Sequence, residues 1–202
     1  LIFFDWDDTL LASSHLASHG CRLDSPHDPP EEILQHLDLL QASVLQVLSL
    51  AARHGEVVIV TNAEHGWVQL SAEKWMPRVL DVVRQLPVIS ARSTFEEKYP
   101  ASPFQWKYHA MNQALSKARE QYEEAKHGLL HVMSLGDSHV EREAVRAVTS
   151  QVENIRTKSV KFAEHPTMEQ LRRQLDLVHS SFQYIHSHDG DLDLMLTINV
   201  VY

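Results

Sequence analysis

The chain has 202 residues, of which 44% are hydrophobic, and its 18 basic and 27 acidic side chains give a formal net charge of −9. This composition is typical of a globular protein and excludes disordered and collagen-like chains. The single cysteine, Cys21, excludes a disulfide scaffold and favours a reducing compartment, so we expect a cytoplasmic location. The negative charge argues against a nucleic-acid partner, and no apolar run is long enough to predict a membrane span.

The first half of the chain predicts alternating strands and helices. Residues 1–4 are apolar and predict a buried strand. The sequence begins with Leu rather than Met, so we expect that upstream residues, with any targeting signal, were removed or not included. Residues 31–54 repeat apolar side chains at helical spacing, and the β-branched run 57–60 is typical of a strand buried on both faces. Residues 64–86 predict two shorter helices, and a short strand follows at 88–90.

The second half continues the alternation. A polar loop is predicted at 91–101, and the clearest helical pattern in the chain begins after it, at Ser102. A strand at 129–135 and a further helical pattern come next, and residues 160–163 are a candidate fifth strand. Residues 167–170 have the capping pattern of a last helix.

The C-terminal tail has a different period. Apolar and polar residues alternate over 192–200, which is typical of a half-buried strand. Phe182 and Tyr184 alternate upstream, and the turn pair Asp189-Gly190 lies between the two runs. This pattern predicts a C-terminal β-hairpin, whose apolar face extends the sheet edge or forms a homodimer contact.

Five alternations of strand and helix predict an α/β fold with a doubly wound parallel sheet and right-handed crossovers. The length predicts one domain over residues 1–202, with a core at about 1–165 and a C-terminal helix and hairpin at about 167–202. Ligands bind at the carboxyl ends of the strands in such sheets. The residues that directly follow each strand are therefore the candidates for chemistry.

Acidic and hydroxyl residues follow three of the predicted strands, and a lysine lies in the second turn of the clearest helix. Several carboxylates so close together repel one another unless a hard cation such as Mg²⁺ binds them. A lysine and a hydroxyl can hold phosphoryl oxygens, and an aspartate beside a metal can attack phosphorus. The residues concerned are Asp5, Asp7, Asp8, Thr9, Thr61, Asn62, Lys107, Asp137 and Glu141.

Each of these features alone has a simpler structural explanation. An Asp-x-Asp after a strand is usually a loop or cap, a Gly-Asp-Ser is usually a turn, and a lysine near a helix start is usually solvated. Their occurrence in order, at strand ends and at a capped helix start in an α/β chain, favours a functional site over these explanations.

Together the motifs resemble those of the haloacid dehalogenase (HAD) superfamily over about residues 1–165. Asp5-Trp6-Asp7-Asp8-Thr9-Leu10 resembles the first motif of that family, and Val60-Thr61-Asn62 resembles the second. Lys107 is similar to the lysine of the third motif. Gly136-Asp137-Ser138-His139-Val140-Glu141 resembles the fourth, with Glu141 where an aspartate is more usual.

The resemblance implies a Mg²⁺-dependent phosphatase that hydrolyses phosphomonoesters through an aspartyl phosphate. Asp5 is then the nucleophile, and Asp7 protonates the leaving oxygen and later takes a proton from water. The metal ligands are Asp5, Asp137 and the backbone carbonyl of Asp7. Phosphate contacts come from Thr61, Asn62 and Lys107, supported by Glu141 and Thr9.

Several alternatives remain open at this stage. Lys98, in the predicted polar loop, is a rival to Lys107 as the phosphate-binding lysine. Neither gap between the motifs has room for a full cap domain, so we expect an open site for a small phosphate ester or a phosphoprotein. Asp7 favours phosphatase or phosphomutase chemistry within the superfamily. The other functions considered are a catalytically decayed binding or regulatory protein and a phosphotransferase or mutase.

The tryptophans and histidines carry weaker signals. Trp6 is expected to pack under the neighbouring loop, and Trp67, Trp75 and Trp106 are expected in the core or an interface. The 14 histidines first suggest metal binding, but the predicted site consists of carboxylates, so most of them are expected on the surface.

Overall fold

The computed structural model of the chain describes residues 1–26, 28–124 and 129–197. In this part of the chain the strands are β1 (Ile2–Phe4), β2 (Val57–Thr61), β3 (Val88–Ser90), β4 (Leu130–Gly136), β5 (Ile155–Lys161) and β6 (Leu192–Met195). The helices are α1 (Ser13–Ser18), α2 (Glu31–His54), α3 (Trp67–Trp75), α4 (Pro77–Gln85), α5 (Ala91–Phe95), α6 (Pro103–Glu124), α7 (His139–Thr149) and α8 (Met168–Ser187).

The six strands form one open sheet in the order β3-β2-β1-β4-β5-β6, and every pair is parallel. The predicted α/β class with a parallel sheet is therefore confirmed. Successive strand residues face opposite sides, so Ile2 and Phe4 enter one core while Phe3 enters the other. Helices α2, α3, α4 and α8 contribute to the first core and α6 and α7 to the second, as in a doubly wound fold.

Helix α2, the longest in the described residues, packs through an apolar stripe. Ile33, Leu37, Leu40, Val44 and Val47 are buried, and the helix packs against α8 and β2. By length and composition alone α2 could also cross a membrane. In this fold the apolar stripe of α2 is buried in the first core. Core helices of globular proteins often have such an apolar composition.

The predicted C-terminal hairpin is wrong in the part of it that the structure describes. Phe182 and Tyr184 lie in α8, not in a strand, and Phe182 is buried in the core while Tyr184 is 75% exposed. The buried residues Val178, Phe182 and Ile185 continue the helical spacing of four and three, which a two-residue alternation concealed. Strand β6 pairs in parallel with β5, and residues 198–200 of the predicted strand lie outside the described residues.

Two other boundaries differ from the sequence predictions. The predicted polar loop 91–101 contains α5, whose first turn is capped by the side chain of Ser90. The fifth strand begins at Ile155, before the predicted 160–163, because β5 pairs with β4 along its whole length. The break between the two helices after β2 is confirmed, with Pro77 at the first position of α4, where its missing N–H costs no hydrogen bond.

One carboxylate holds the edge strand β6 in place. Asp193 Oδ1 accepts hydrogen bonds from Ser159 Oγ of β5 at 2.6 Å and from Arg142 Nε of α7 at 2.7 Å. Asp193 Oδ2 accepts from Arg146 Nη1 at 2.8 Å. These contacts join the outermost strand to its neighbour and to the helix above it.

We expect Asp193→Asn to lower the free energy of unfolding by about 1.5–3 kcal/mol, because hydrogen bonds to a charged group are lost. The hydrogen bonds from Arg142, helped by Ser159 and by the charge of Arg146, lower the pKa of Asp193. Its stabilisation is therefore complete above the ordinary aspartate pKa of about 3.9 and is lost as the pH falls through the lower folded-state pKa.

Denaturant unfolding at neutral and at acid pH measures this effect, with Asp81→Asn as the control because the Asp81 side chain is 88% exposed on α4. The difference between wild type and Asp193→Asn should shrink at acid pH. Equal unfolding free energies for the two variants at neutral pH would contradict the assignment.

Candidate active site

Three neighbouring strands, β2, β1 and β4, bring their carboxyl ends together at one edge of the sheet. Asp5 follows β1 directly, Thr61 ends β2, and Asp137 follows Gly136 at the end of β4. The backbone N–H of Asp5 donates to the carbonyl of Leu135 at 2.9 Å, so the chain after β1 is still held to β4. The parallel register thus gathers the predicted motif residues although they are far apart in sequence.

Lys107 lies at the centre of this edge. It projects from the second turn of α6 and is 1% exposed. Its Nζ lies 2.5 Å from Asp5 Oδ1 and 3.0 Å from Glu141 Oε1, and it donates to the carbonyl of Val60 at 2.5 Å. The rival lysine, Lys98, is exposed and lies 5.2 Å from the ring of Tyr99. Lys107 is therefore the lysine that contacts the acidic residues.

Glu141 is held by the start of α7. Its Oε2 accepts hydrogen bonds from the backbone N–H and the hydroxyl of Ser138, which completes a capping box at the N-terminus of the helix. Its Oε1 is left to face Lys107. Gly136 makes room for this arrangement, because a Cβ there would come within 2.5 Å of the Glu141 side chain.

The site holds more negative than positive charge. Carboxylate oxygens of Asp5, Asp137 and Glu141 lie within 4.8 Å of one another, with the ammonium of Lys107 between Asp5 and Glu141. Burial opposes the charge of Lys107, but the two carboxylates outweigh it and raise the pKa of its ammonium. Lys107 thus stays cationic.

The pKa values of the three carboxyl groups are shifted in different directions. Burial raises the pKa of Asp5 well above its ordinary value, and Lys107 only partly opposes this. Burial alone would raise the pKa of Glu141, but Lys107 and Ser138 outweigh it and lower that pKa. Burial, followed by the charges of Glu141 and Asp8, raises the pKa of Asp137 to about 7. Lys107 pairs with Asp5 and Glu141, whereas no ion pair to Asp137 is seen among the described residues, so a divalent cation could supply positive charge beside Asp137.

Asp7 lies beside this cluster and faces a different partner. The indole Nε1 of Trp67 donates to both carboxylate oxygens of Asp7, at 2.9 and 3.1 Å. Burial raises the pKa of Asp7, and the hydrogen bond from Trp67 partly opposes this. Trp67 was predicted to be a core or interface residue, so its contact with Asp7 was missed. The only sequence signal was its position shortly after the end of β2.

The remaining motif residues shape the loops. Asp8 has a φ of 53° and accepts a hydrogen bond from the backbone N–H of Ser14 at 2.9 Å, which holds the turn after β1. Thr9 is fully buried in this turn, and its hydroxyl has no hydrogen-bond partner among the described residues. Trp6 is also buried, as predicted, and its indole donates to Ser71 Oγ at 2.9 Å.

Thr61, the last residue of β2, and Asn62, which follows it, lie at the same edge of the sheet. The hydroxyl of Thr61 accepts a hydrogen bond from the backbone N–H of Ala63 at 3.0 Å, so its own proton remains a donor for an incoming oxygen. The amide of Asn62 donates to the carbonyl of Pro103 at 3.3 Å. Asn62 therefore ties the end of β2 to the start of α6, the helix that carries Lys107.

Comparison of the chain with protein-family models, with curated proteins and with solved structures finds no match in any of the three. The resemblance to the HAD superfamily thus remains an expectation based on the motifs. Any functional conclusion depends on those motifs and on the geometry of the site.

We expect millimolar Mg²⁺ to raise the melting temperature of the wild-type protein, because a ligand that binds only the folded state adds about 2.7 kcal/mol at a concentration of 100 Kd. Asp137→Asn should reduce the shift, since it removes a carboxylate of the cluster. Thermal unfolding with and without Mg²⁺ measures this, with Asp81→Asn as the surface control. The same shift in wild type and in Asp137→Asn would exclude Asp137 as a ligand.

We expect Gly136→Ala to displace Glu141 and weaken both the α7 cap and the ion pair with Lys107. Such overpacking typically costs about 1–3 kcal/mol of unfolding free energy. Gly55→Ala is a matched control, because a Cβ at Gly55 has its nearest neighbour at 3.7 Å. Chemical denaturation of both variants tests this, and equal stability of the two would show that Glu141 does not depend on the space at Gly136.

Proposed function

We propose that this protein is a HAD-type phosphatase, a Mg²⁺-dependent phosphomonoester hydrolase that acts through an aspartyl-phosphate intermediate. The observation that carries the proposal is the buried contact between Lys107 Nζ and Asp5 Oδ1 at 2.5 Å, at the carboxyl end of β1. A nucleophilic carboxylate must receive an anionic phosphoryl group, and a fixed cation beside it offsets the resulting repulsion. All four motifs that resemble the superfamily contribute residues around this contact.

The donor set fits a hard divalent cation. Both oxygens of Glu141 are already engaged, by Lys107 and by Ser138. Asp5 and Asp137 are therefore the carboxylates that would hold Mg²⁺, together with the backbone carbonyl of Asp7. When bound, the ion would supply positive charge that stabilises the phosphoryl oxygens during transfer.

In the first step, a carboxylate oxygen of Asp5 attacks phosphorus while the ester P–O bond breaks. Asp7 donates its proton to the leaving oxygen, so the alcohol leaves neutral and Asp5 carries the phosphoryl group. Burial raises the pKa of Asp7, which favours the protonated form that a general acid needs. Burial also raises the pKa of Asp5, and the ammonium of Lys107 at 2.5 Å opposes this shift and favours the carboxylate that attacks.

In the second step, Asp7 takes a proton from a water molecule, whose oxygen attacks phosphorus. The P–O bond to Asp5 then breaks, which releases inorganic phosphate and restores the free carboxylate. Lys107 and the hydroxyl of Thr61 would hold the phosphoryl oxygens in both steps, and the cap of α7 would keep Glu141 against Lys107.

The proposed site is accessible to more than one class of phosphate ester. Residues 10–30, where a first cap domain would be inserted, contain only the six-residue helix α1 in the part that the structure describes. Such a short insertion suits a phosphorylated side chain of a protein as well as a small phosphate ester.

We expect wild-type protein to release phosphate from an aryl phosphate in the presence of Mg²⁺ and to lose this activity in EDTA. Asp5→Asn should reduce the activity to background, because the amide cannot attack phosphorus, and Asp7→Asn should reduce it by about 10²–10⁴-fold through loss of the general acid. Asp81→Asn serves as the control and should retain full activity. Colorimetric phosphate detection measures all four proteins.

Two outcomes would count against the proposal. Activity that persists in Asp5→Asn would remove Asp5 as the nucleophile. Absence of any phosphate release by the wild type, combined with a Mg²⁺-dependent rise in melting temperature, would instead favour a binding or regulatory protein that retains the site without catalysis.

A further inference from the structure

A large cavity opens beside Asp7, and Lys107 is not among the residues that line it. Its volume is about 770 Å³, and it lies between the segment 13–24 after β1 and the segment 63–75 after β2. Asp7 itself lines the cavity. Since the proposed general acid must touch the leaving oxygen, the group attached to that oxygen can extend into this space. The following inference therefore depends on the proposed function.

The walls of the cavity are mainly apolar and aromatic. The rings of Trp67 and Trp75 meet edge to face, with centroids 6.0 Å apart and an interplanar angle of 68°. Leu23 and Leu70 add aliphatic surface to the lining. An apolar cavity of about 150 Å³ is already enough to hold benzene, so this one has room for an aromatic ring and the atoms next to it.

The charged residues of the lining do not provide a second anion site. Arg22 pairs with Asp24 at 3.0 Å, and Arg92 pairs with Glu96 at 2.9 Å. Each arginine of the lining thus has a carboxylate beside it, and the acidic residues Asp7, Asp24 and Glu64 of the lining outnumber the two arginines. A leaving group with its own phosphate or carboxylate is disfavoured by these acidic residues, whereas an uncharged aromatic group fits the apolar part of the wall.

Trp67 connects the cavity to the chemistry. Its indole N–H donates to Asp7, while its ring forms part of the cavity wall against Trp75. A ring seated on this wall would place its ester oxygen next to the carboxyl group of Asp7. We propose that the substrate is a phosphate monoester of a phenol-type alcohol, an aryl phosphate, whose ring occupies this cavity.

The test compares the binding of two phosphonates that cannot be hydrolysed, benzylphosphonate and ethylphosphonate, by isothermal titration calorimetry with Mg²⁺ present. The wild type should bind benzylphosphonate at least about tenfold more tightly, which corresponds to about 1.4 kcal/mol. Leu70→Ser should reduce this preference several-fold. Leu177→Ser is the matched control, because Leu70 and Leu177 are 54% and 52% exposed and Leu177 lies on α8, outside the cavity lining.

Equal affinity for the two phosphonates, absence of binding by both, or an unchanged preference in Leu70→Ser would each overturn the aryl assignment. A separate measurement of phenyl phosphate hydrolysis distinguishes a failure of the aryl assignment from a failure of the proposed hydrolase activity. A preference for benzylphosphonate without hydrolysis of phenyl phosphate would retain the aryl site and refute the hydrolase. Hydrolysis of phenyl phosphate without a preference for benzylphosphonate would support the hydrolase and refute the aryl site.

A phosphotyrosine peptide and phenyl phosphate, assayed side by side, distinguish a protein from a small molecule as the source of the aryl group. A higher kcat/KM for the peptide indicates a protein substrate, and a higher value for phenyl phosphate indicates a small one. Either result is compatible with the aryl site only if Leu70→Ser lowers kcat/KM for the preferred substrate and Leu177→Ser does not.

Discussion

The buried ammonium of Lys107, held between Asp5 and Glu141, is the interaction on which the site depends. A charge that is 1% exposed is tolerated only with close partners of opposite sign, and loss of one partner of such a buried pair typically costs about 3–5 kcal/mol. The three residues come from α6, the end of β1 and the first turn of α7. Their ion pair therefore requires the helices on this face of the sheet to pack in one arrangement.

This interaction leaves an excess of negative charge at the site, because one ammonium faces three carboxyl groups. Lys107 compensates two carboxylates, and Asp137 lies next to them with a pKa raised to about 7 by burial and by its acidic neighbours. Part of the net charge of −9 is thus concentrated at one edge of the sheet. Carboxylates form this cluster, and no histidine of the described residues takes part in it.

Asp7 separates two parts of the site with different chemistry. On one side lie Lys107 and the acidic cluster, which suit a phosphoryl group. Asp7 also lines a cavity with Trp67 and Trp75 in its wall, which we propose as the site of an aromatic leaving group. The segments after β1 and β2 form most of the lining of this cavity.

The sequence by itself determined the α/β class, the order of most elements and the residues at the strand ends, because hydrophobic period, caps and strand ends are local patterns. Only the tertiary structure decided that Lys107, not Lys98, contacts Asp5, and that Trp67 donates to Asp7 across 60 residues. It also replaced the predicted hairpin with α8 and a parallel edge strand. Pairing partners are selected by packing between distant segments, and a local pattern such as the alternation of Phe182 and Tyr184 contains no information about that choice.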